Sequence, residues 1–444
     1  MAKIKINVMN TLDKFERVFS VISLILYMNA VVPLFIIQGA SEGDGVDLFA
    51  FNYTPLNLLF ITNYLITLTL LILRWNKTLV FAINNVLFIT LILMAPLSYV
   101  WSALPDRTMS ASIGIMGSTM FGFYVATRFS FREQVRLLAW AFGVTIALSF
   151  VFIVALPKYG IMAAVHAGSL RGVWTHKNGM GKFMVLSNAV FLMLLQSNAK
   201  PKWYLWIGLL SSLMLTVGSN STNALVNSIL AITIILFLNQ VFKLENDKFS
   251  IVAVLLVMFL SGLVITFNDI AGALLGLVGK DPTLTGRTDI WALVIEKIQQ
   301  RPILGYGFAG FWQGLRGESA SIIRALRWPV PNSHNGYLDF ILQLGLAGFS
   351  LFLVIYWSTL VRVYLLLRQC FCLDYLWPLI VLIYLIQINI AEPSLLAQND
   401  FFWILFTTIV VSASAEFKSV FQRRSITQVY QSKDISKKAA TISS

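Results

Sequence analysis

The chain has 444 residues, of which 57% are apolar and only 12% charged, a balance that excludes a soluble globular domain and leaves an integral membrane protein. A formal net charge of +13 does not point to nucleic acid, because most of the excess lies in short connections between apolar segments, where it reports membrane orientation and some attraction to anionic lipid. An all-α bundle is expected rather than a barrel, whose strands would alternate apolar and polar residues.

With about 20 apolar residues needed per spanning helix, the sequence predicts twelve spans, near 18–39, 55–73, 79–100, 109–126, 135–156, 179–197, 203–218, 221–241, 250–268, 337–361, 373–390 and 401–416. The first is too long for the apolar core of a signal peptide and reads as an uncleaved signal anchor. Lys3, Lys5, Lys14 and Arg17 precede it. Arg74, Lys77, Arg128, Arg132, Arg136, Lys200, Lys202, Lys243, Lys248, Arg362 and Arg368 then fall in alternate connections, which assigns that side to the cytoplasm. The first opposite connection is acidic, with Glu42, Asp44 and Asp47. Both termini are therefore expected inside, with residues 1–424 forming the membrane domain and 425–444, rich in Ser, Lys and Thr, a disordered cytoplasmic tail. Cys370 and Cys372 share a cytoplasmic turn, where they stay reduced. No internal repeat is evident, which weighs against a transporter built from duplicated halves.

Two polar stretches stand out on the outer side. One is Arg171-Gly172-Val173-Trp174-Thr175-His176-Lys177-Asn178-Gly179; the other is a long loop over 269–336 that ends in Pro331-Asn332-Ser333-His334-Asn335-Gly336. Basic residues should be scarce there, yet Lys158, Arg171, Lys177, Lys182, Lys280, Arg287, Lys297, Arg301, Arg316, Arg324 and Arg327 are present, as are all three histidines. Within the long loop, Thr285 or Gly286 caps a helix expected from Arg287 to about Gln300, which sets Arg287 beside free backbone N–H groups, a natural place for a phosphate oxygen. Phe311 to Trp328 reads as an amphipathic helix on the outer interface that carries Arg316, Arg324 and Arg327. His334, at the start of the tenth span among these arginines, has the side chain suited to take a proton near neutral pH. The outer acids Asp269, Asp281, Asp289, Glu296, Glu318, Glu392 and Asp400 contain no paired-acid motif, so neither a metal nor another cofactor is expected.

Three segments of the second half resemble the signature region of the O-antigen ligase and polymerase family: Gly286-Arg287-Thr288-Asp289-Ile290-Trp291, Pro302-Ile303-Leu304-Gly305-Tyr306-Gly307, and Ser333-His334-Asn335-Gly336-Tyr337-Leu338 followed by Gly345-Leu346-Ala347-Gly348. Arg171-Gly172 with His176-Lys177-Asn178-Gly179 is similar to that family's upstream motif, above all in its exopolysaccharide polymerases. The resemblance implies a metal-independent, inverting glycosyltransferase of the GT-C-type membrane fold. It would act on glycans carried by undecaprenyl pyrophosphate at the outer face of a bacterial inner membrane. It implies His334 as the base that deprotonates the acceptor hydroxyl and Arg171 and Arg287 as the pair that grips the pyrophosphate. His176, Lys177, Asn178 and Asn335 are further candidates for sugar or phosphate contacts, as are Arg316, Arg324 and Arg327. The partners implied are the lipid-linked oligosaccharide donor, an acceptor that is either a second lipid-linked repeat unit or the lipid A core, the membrane lipids, and a chain-length co-polymerase. A polymerase is favoured over a ligase by the motif at Lys177-Asn178. A flippase for lipid-linked sugars is the reading from another class, and it predicts ionisable residues deep within the spans, which are nearly free of charge.

Overall fold

A computed structural model describes the backbone of residues 2–40, 51–163, 166–197, 202–244, 248–260, 262, 285–369 and 372–442. Glu42, Asp44, Asp47, Asp269, Lys280, Asp281 and Cys370 lie outside the described residues, as does the side chain of Arg316. The described chain is all-helical, without strands; its one ladder contact is an isolated antiparallel bridge between Ile161 and Leu170. In chain order the helices are α1 (Ala2–Tyr27), α2 (Val32–Ile36), α3 (Thr54–Ile72), α4 (Trp75–Asn84), α5 (Val86–Leu97), α6 (Pro105–Arg128), α7 (Phe131–Ala155), α8 (Pro157–Gly160) and α9 (Lys177–Ser197). They continue with α10 (Trp203–Gly218), α11 (Thr222–Val241), α12 (Lys248–Leu260), α13 (Thr285–Gln300), α14 (Ala320–Leu326), α15 (Gly336–Gln369), α16 (Leu373–Ala391) and α17 (Phe401–Ile442).

Eight described helices, α3, α6, α7, α9, α11, α15, α16 and α17, are long and apolar enough to cross a membrane, and α4 with α5 makes a ninth if that bent pair is one span. The pair bends by 91° at Asn85, whose amide donates to the Phe81 carbonyl and so competes with the helical ladder. α10 and α12 are apolar but shorter. The span expected over 18–39 is divided: α1 ends at Tyr27, Asn29 and Val31 adopt positive φ, and α2 restarts at Val32. α17 carries helical backbone past residue 424, into the stretch expected to be a tail.

Small residues set how closely the helices approach. A Cβ added to Gly117 of α6 would lie 2.4 Å from Tyr64 of α3, and one added to Gly122 would lie 2.7 Å from Thr407 of α17. Around α6 the interior is rich in aromatic side chains, among them the fully buried Phe121, Tyr124, Phe142, Trp377 and Trp403. At one end of the bundle an ion-pair network joins α1, the α3–α4 junction, α6 and α7. The buried Glu16 takes Arg74 at 2.5 Å and Arg128 at 2.6 Å, Arg128 also reaches Asp13, and Arg17 bonds Glu133 at 2.8 Å. A buried carboxylate is tolerated where it is paired in this way.

The long loop is a packed structure of its own. α13, α14 and the connections around them enclose Ile290, Val294, Tyr306, Phe311, Ile322, Ile323, Val330 and Leu342 of α15 as a second apolar core. α13 ends at Gln300, as expected, but starts at Thr285, so that Thr285 and Gly286, expected to cap it, lie within its first turn. The single amphipathic helix expected over 311–328 is instead a 3-10 turn over Gly314–Arg316 followed by α14. Gly314 at φ +61° breaks the run, and Ser319 Oγ accepts the Gln313 N–H and donates to the Gly314 carbonyl, closing the turn. Ile322 and Ile323 then point into the second core rather than toward lipid.

This loop is fastened to the bundle where α15 breaks. Gly345 sits at φ +65°, and a Cβ there would lie 2.1 Å from the Ile303 carbonyl oxygen. The backbone groups freed by the break are met by the Pro302–Gly307 segment. Leu346 and Ala347 donate to the carbonyls of Pro302 and Ile303, while Tyr306 and Gly307 donate to those of Leu342 and Gln343. Two of the motifs read in the sequence, Pro302-Ile303-Leu304-Gly305-Tyr306-Gly307 and Gly345-Leu346-Ala347-Gly348, are thus the two sides of one joint. Irregular backbone at membrane depth is tolerated only when it is satisfied internally like this. On its other side the segment is tied to the corner before α6, through Phe308 N–H to Ser98 Oγ (2.9 Å), Thr108 Oγ1 to the Phe308 carbonyl (2.8 Å) and Trp101 Nε1 to the Leu304 carbonyl (3.0 Å).

Candidate active site

His334 is held in a turn in which almost every polar group is used locally. Its own N–H donates to Asn332 Oδ1 at 2.9 Å, and the residue takes φ +51°, a conformation that such a side-chain bond supports in a non-glycine residue. Ser333 Oγ donates to the Asn335 carbonyl at 2.7 Å and accepts the Asn335 N–H at 3.1 Å. Asn335 Oδ1 accepts the N–H groups of Tyr337 and Leu338, so it is the N-cap of α15. Asn335 is thereby committed to capping and not to sugar or phosphate through that oxygen.

Two tryptophans and a buried acid fix this turn against the loop. Trp291 of α13 donates from Nε1 to the Ser333 carbonyl at 2.9 Å. Asp339, 5% exposed, accepts Trp312 Nε1 at 2.8 Å and Ser333 N–H at 3.2 Å with the same oxygen. Arg287 lies one helical turn before Trp291 on α13 and is half-buried. Residues four apart share a helix face, so the bond from Trp291 to the neighbour of His334 brings the Arg287 face of α13 to the His334 turn. Trp291 and Trp312 were legible in the sequence only as helix-packing or interfacial residues, and Asp339, five residues beyond His334, as a helix-packing acid or one that orients a catalytic group, because the chemistry that joins them is contributed by three separate segments.

Arg171 is not placed as expected. It is 0% exposed and its guanidinium donates to five backbone carbonyls: Nε to Tyr159 (2.8 Å), Nη1 to Ala40 (3.1 Å) and Thr175 (3.3 Å), and Nη2 to Gly39 (2.6 Å) and Lys158 (2.8 Å). A guanidinium has five N–H groups, and this set engages all of them. The same motif docks on the break between α1 and α2, with Val31 N–H on the Val173 carbonyl at 2.8 Å and Trp174 Nε1 on the Met28 carbonyl at 3.1 Å. Arg171 is therefore a tie between the N-terminal break and the loop before α9, and not a hand extended to an anion.

Downstream of it, His176 accepts the Asn178 N–H on Nδ1 at 3.1 Å, and burial first, then the neighbouring His166, lowers its pKa to about 4. The two imidazoles meet edge to face at 5.4 Å. His176 is thus neutral at physiological pH, a hydrogen-bonding group rather than a cation. Lys177 Nζ donates to the Asn220 carbonyl at 3.3 Å. Asn178 lines a small cleft of mixed character, whose polar groups also include Lys182, Asn223, Asn227, Gln387 and Glu392. Arg324 on α14 and Arg327, which ends that helix at φ +61°, are exposed, and the backbone of Arg316 closes the 3-10 turn.

The two motif regions, more than 150 residues apart, meet at the C-terminal end of α16. Gly336, two residues after His334, lies so close to Asn389 that an added Cβ would be 2.0 Å from its Oδ1, and Tyr337 hydroxyl donates to the Ile386 carbonyl at 2.9 Å. Just past the same helix end, the Glu392 carboxylate acts electrostatically on His176. Asn389 Oδ1 also accepts the N–H groups of Ser394 and Leu395, which shapes the turn leading to Asp400. From Tyr337 an apolar cavity of about 140 Å³ runs along α15, lined by Phe352, Tyr356, Leu385, Leu395 and Phe406 among others. Among the described residues no group of three or more His, Cys, Asp or Glu converges.

A multi-pass, all-helical membrane protein with a polar site and an adjoining apolar cavity at one end of its bundle is the class that these features define. The O-antigen ligase family model matches residues 206–353, from α10 to the middle of α15, about a third of the chain. The matched stretch contains Arg287 and His334 but not Arg171 or His176. Relatives agree. A protein of Rickettsia conorii named provisionally as a polysaccharide ligase is 36% identical over 85 residues, 18% of this chain and 21% of the relative. A counterpart in Rickettsia prowazekii is 40% identical over 82 residues, 18% and 20% of the two chains. The match thus spans about a fifth of the length of these relatives. The exopolysaccharide production protein ExoQ of Rhizobium meliloti is 22% identical over 338 residues, 70% of this chain and 74% of that protein.

Proposed function

We propose that this chain is a glycosyltransferase of GT-C-type architecture with about twelve spans, which polymerises lipid-linked repeat units at the outer face of a bacterial inner membrane. The observation that carries this reading is the His334 turn: a histidine with a fixed backbone, held by Trp291 of the helix that presents Arg287 and opening beside an apolar cavity that starts at Tyr337. His334 takes the proton of the acceptor hydroxyl as its oxygen attacks the anomeric carbon. The bond from that carbon to the pyrophosphate breaks on the opposite side, which inverts the configuration. Negative charge then grows on the leaving undecaprenyl pyrophosphate, and the fixed guanidinium of Arg287 stabilises it without a metal. The apolar cavity receives the first part of the prenyl chain. Arg171 is assigned a positioning role, and His176 and Asn178 line the sugar side of the site.

The motif at His176-Lys177-Asn178 and the similarity to a protein named for exopolysaccharide production, which extends over 70% of the chain, favour polymerase. The names of the Rickettsia relatives, polysaccharide ligase, favour a ligase, for which lipid A core is the alternative acceptor. Purified protein given one lipid-linked repeat unit, with and without lipid A core, separates the two: a ladder of products is expected without core, and a single conjugate formed only with core would replace the polymerase reading. His334→Ala, made at wild-type levels, is expected to yield neither product. Near-normal transfer by that variant would overturn the assignment of the base.

A further inference from the structure

The cleft between the first turns of α9 and α11 and the last turns of α16 has a property that the reaction chemistry leaves unused. Among apolar neighbours, its walls carry amides and charges: Asn178 and Lys182 from α9, Asn223 and Asn227 from α11, Gln387 from α16 and Glu392 just after it. Close packing sets its base, since a Cβ added to Gly181 would lie 2.6 Å from Ala224 Cβ. Two wall groups are buried, Gln387 at 2% exposure and Asn227 at 9%. Asn227 Nδ2 is used on the Asn223 carbonyl at 2.8 Å, but neither Asn227 Oδ1 nor Gln387 Nε2 has a hydrogen-bond partner among the described residues. Buried polar atoms are left unpaired at a cost, and both of these belong to residues that line this one cleft, from which a partner could reach them.

What they ask for is specific. Asn227 Oδ1 is an acceptor and Gln387 Nε2 a donor, and a hydroxyl group is both at once. The enclosed volume is about 40 Å³, enough for a hydroxyl with ordered water but too small for a pyranose ring. The charges of Lys182 and Glu392 offset each other, so the cleft shows no bias toward an anion. We infer that this cleft is a sugar subsite, in which a ring at its mouth, beside His176 and Asn178, inserts a hydroxyl that donates to Asn227 Oδ1 and accepts from Gln387 Nε2. The inference rests on the glycan-transfer reading above and deepens it by naming residues that select the glycan rather than its lipid carrier.

The test measures binding, not turnover. Purified chain in nanodiscs is titrated with lipid-linked glycan extracted from the deletion strain of its host, and separately with bare undecaprenyl pyrophosphate. Gln387→Met and Asn227→Leu are the variants, since each removes an unpaired polar atom with little change in volume; Asn227→Leu also gives up the bond to the Asn223 carbonyl, so both are expected to melt close to the wild-type temperature. Each is expected to weaken glycan-lipid binding roughly ten-fold, the worth of a buried hydrogen bond, and to leave affinity for the bare carrier within two-fold. Deoxygenated glycan at the position concerned should bind both forms alike. If both variants bind the glycan lipid as the wild type does, the cleft holds only water and the subsite is overturned. If wild-type protein binds neither lipid and His334→Ala cells still make polymer, it is the glycan-transfer reading that fails, and the subsite with it.

Discussion

Replacing Arg171 by Lys separates two jobs that this residue could do. The guanidinium bridges five carbonyls from the 39–40, 158–159 and 175 segments, all within 3.3 Å. An ammonium has three donors on one nitrogen, so at least two of those carbonyls lose their partner. At roughly 1–3 kcal/mol for each buried group left unsatisfied, the loss is on the order of 2–6 kcal/mol, a large part of the roughly 5–15 kcal/mol by which a folded domain is stable. Melting of purified protein, followed by tryptophan fluorescence and by size exclusion after heating, should show Arg171→Lys unfolding several degrees below wild type, with polymer formation falling in parallel. Trp174, which bonds Met28 across the same break, should become accessible to quencher. The reasoning fails if Arg171→Lys melts with the wild type and yet makes no polymer, because the guanidinium would then act on the substrate.

Gly345→Ala should prevent the joint with Ile303 from closing, since the new Cβ falls 2.1 Å from a carbonyl oxygen at φ +65°; a marked drop in melting temperature is expected, whereas Gly143→Ala, with nothing within 4 Å, should be near neutral. Burial holds His176 at about 4, below its usual 6.5. The unfolded chain therefore binds a proton between about pH 6.5 and 4 that the folded chain does not. The stability gained from the neutral imidazole is complete above that window and lost as pH falls through it, by up to about 3 kcal/mol, and His176→Gln should flatten melting temperature against pH there. Arg287→Lys keeps the charge but not the fork, and transfer by purified protein should fall roughly 100-fold; full activity would remove Arg287 from the leaving-group role. Chelator should leave transfer unchanged, and loss restored by magnesium would refute the metal-free step.

Composition and periodicity reveal the helical class and the body and C-terminal end of α13, because an apolar stripe is a local signal, while the helix begins at Thr285, one of the residues expected to cap it. Helix breaks were harder to read. The stretch 18–39 is continuous in hydropathy, and what divides it is a contact made elsewhere, Val173 and Trp174 docking on residues 28–31. Gly345 carries a positive φ that its sequence permits but does not demand; the Pro302–Gly307 segment fills the break. The same limit applies to the site. Its ionisable residues were visible as basic outliers in the wrong place, but charge alone cannot tell a guanidinium turned toward a ligand from one spent on five carbonyls. Gln387, Asn389 and Asn227 gave no signal, since single amides in apolar helices have no motif.

The C-terminal end of α16 explains why motifs so far apart in sequence can serve one reaction. Asn389 uses one oxygen to receive Ser394 and Leu395 and leaves no room for a side chain at residue 336, so the turn after α16 and the start of α15 are set by the same atom. Three residues on, Glu392 faces His176 and the cleft that begins at Asn178. A displacement of this helix end would move the His334 turn and the α9 cleft together, preserving their separation. A glycan held in the cleft would thus present its hydroxyl groups at a fixed distance from the base, while the loop carrying Arg287 is fastened independently at Gly345. On the proposed reading, a base at the start of α15 and a sugar at the end of α16 are both set by Asn389, with the arginine for the leaving group on the separately fastened α13. That would hold the reacting groups in a fixed geometry, which is how positioning contributes to rate.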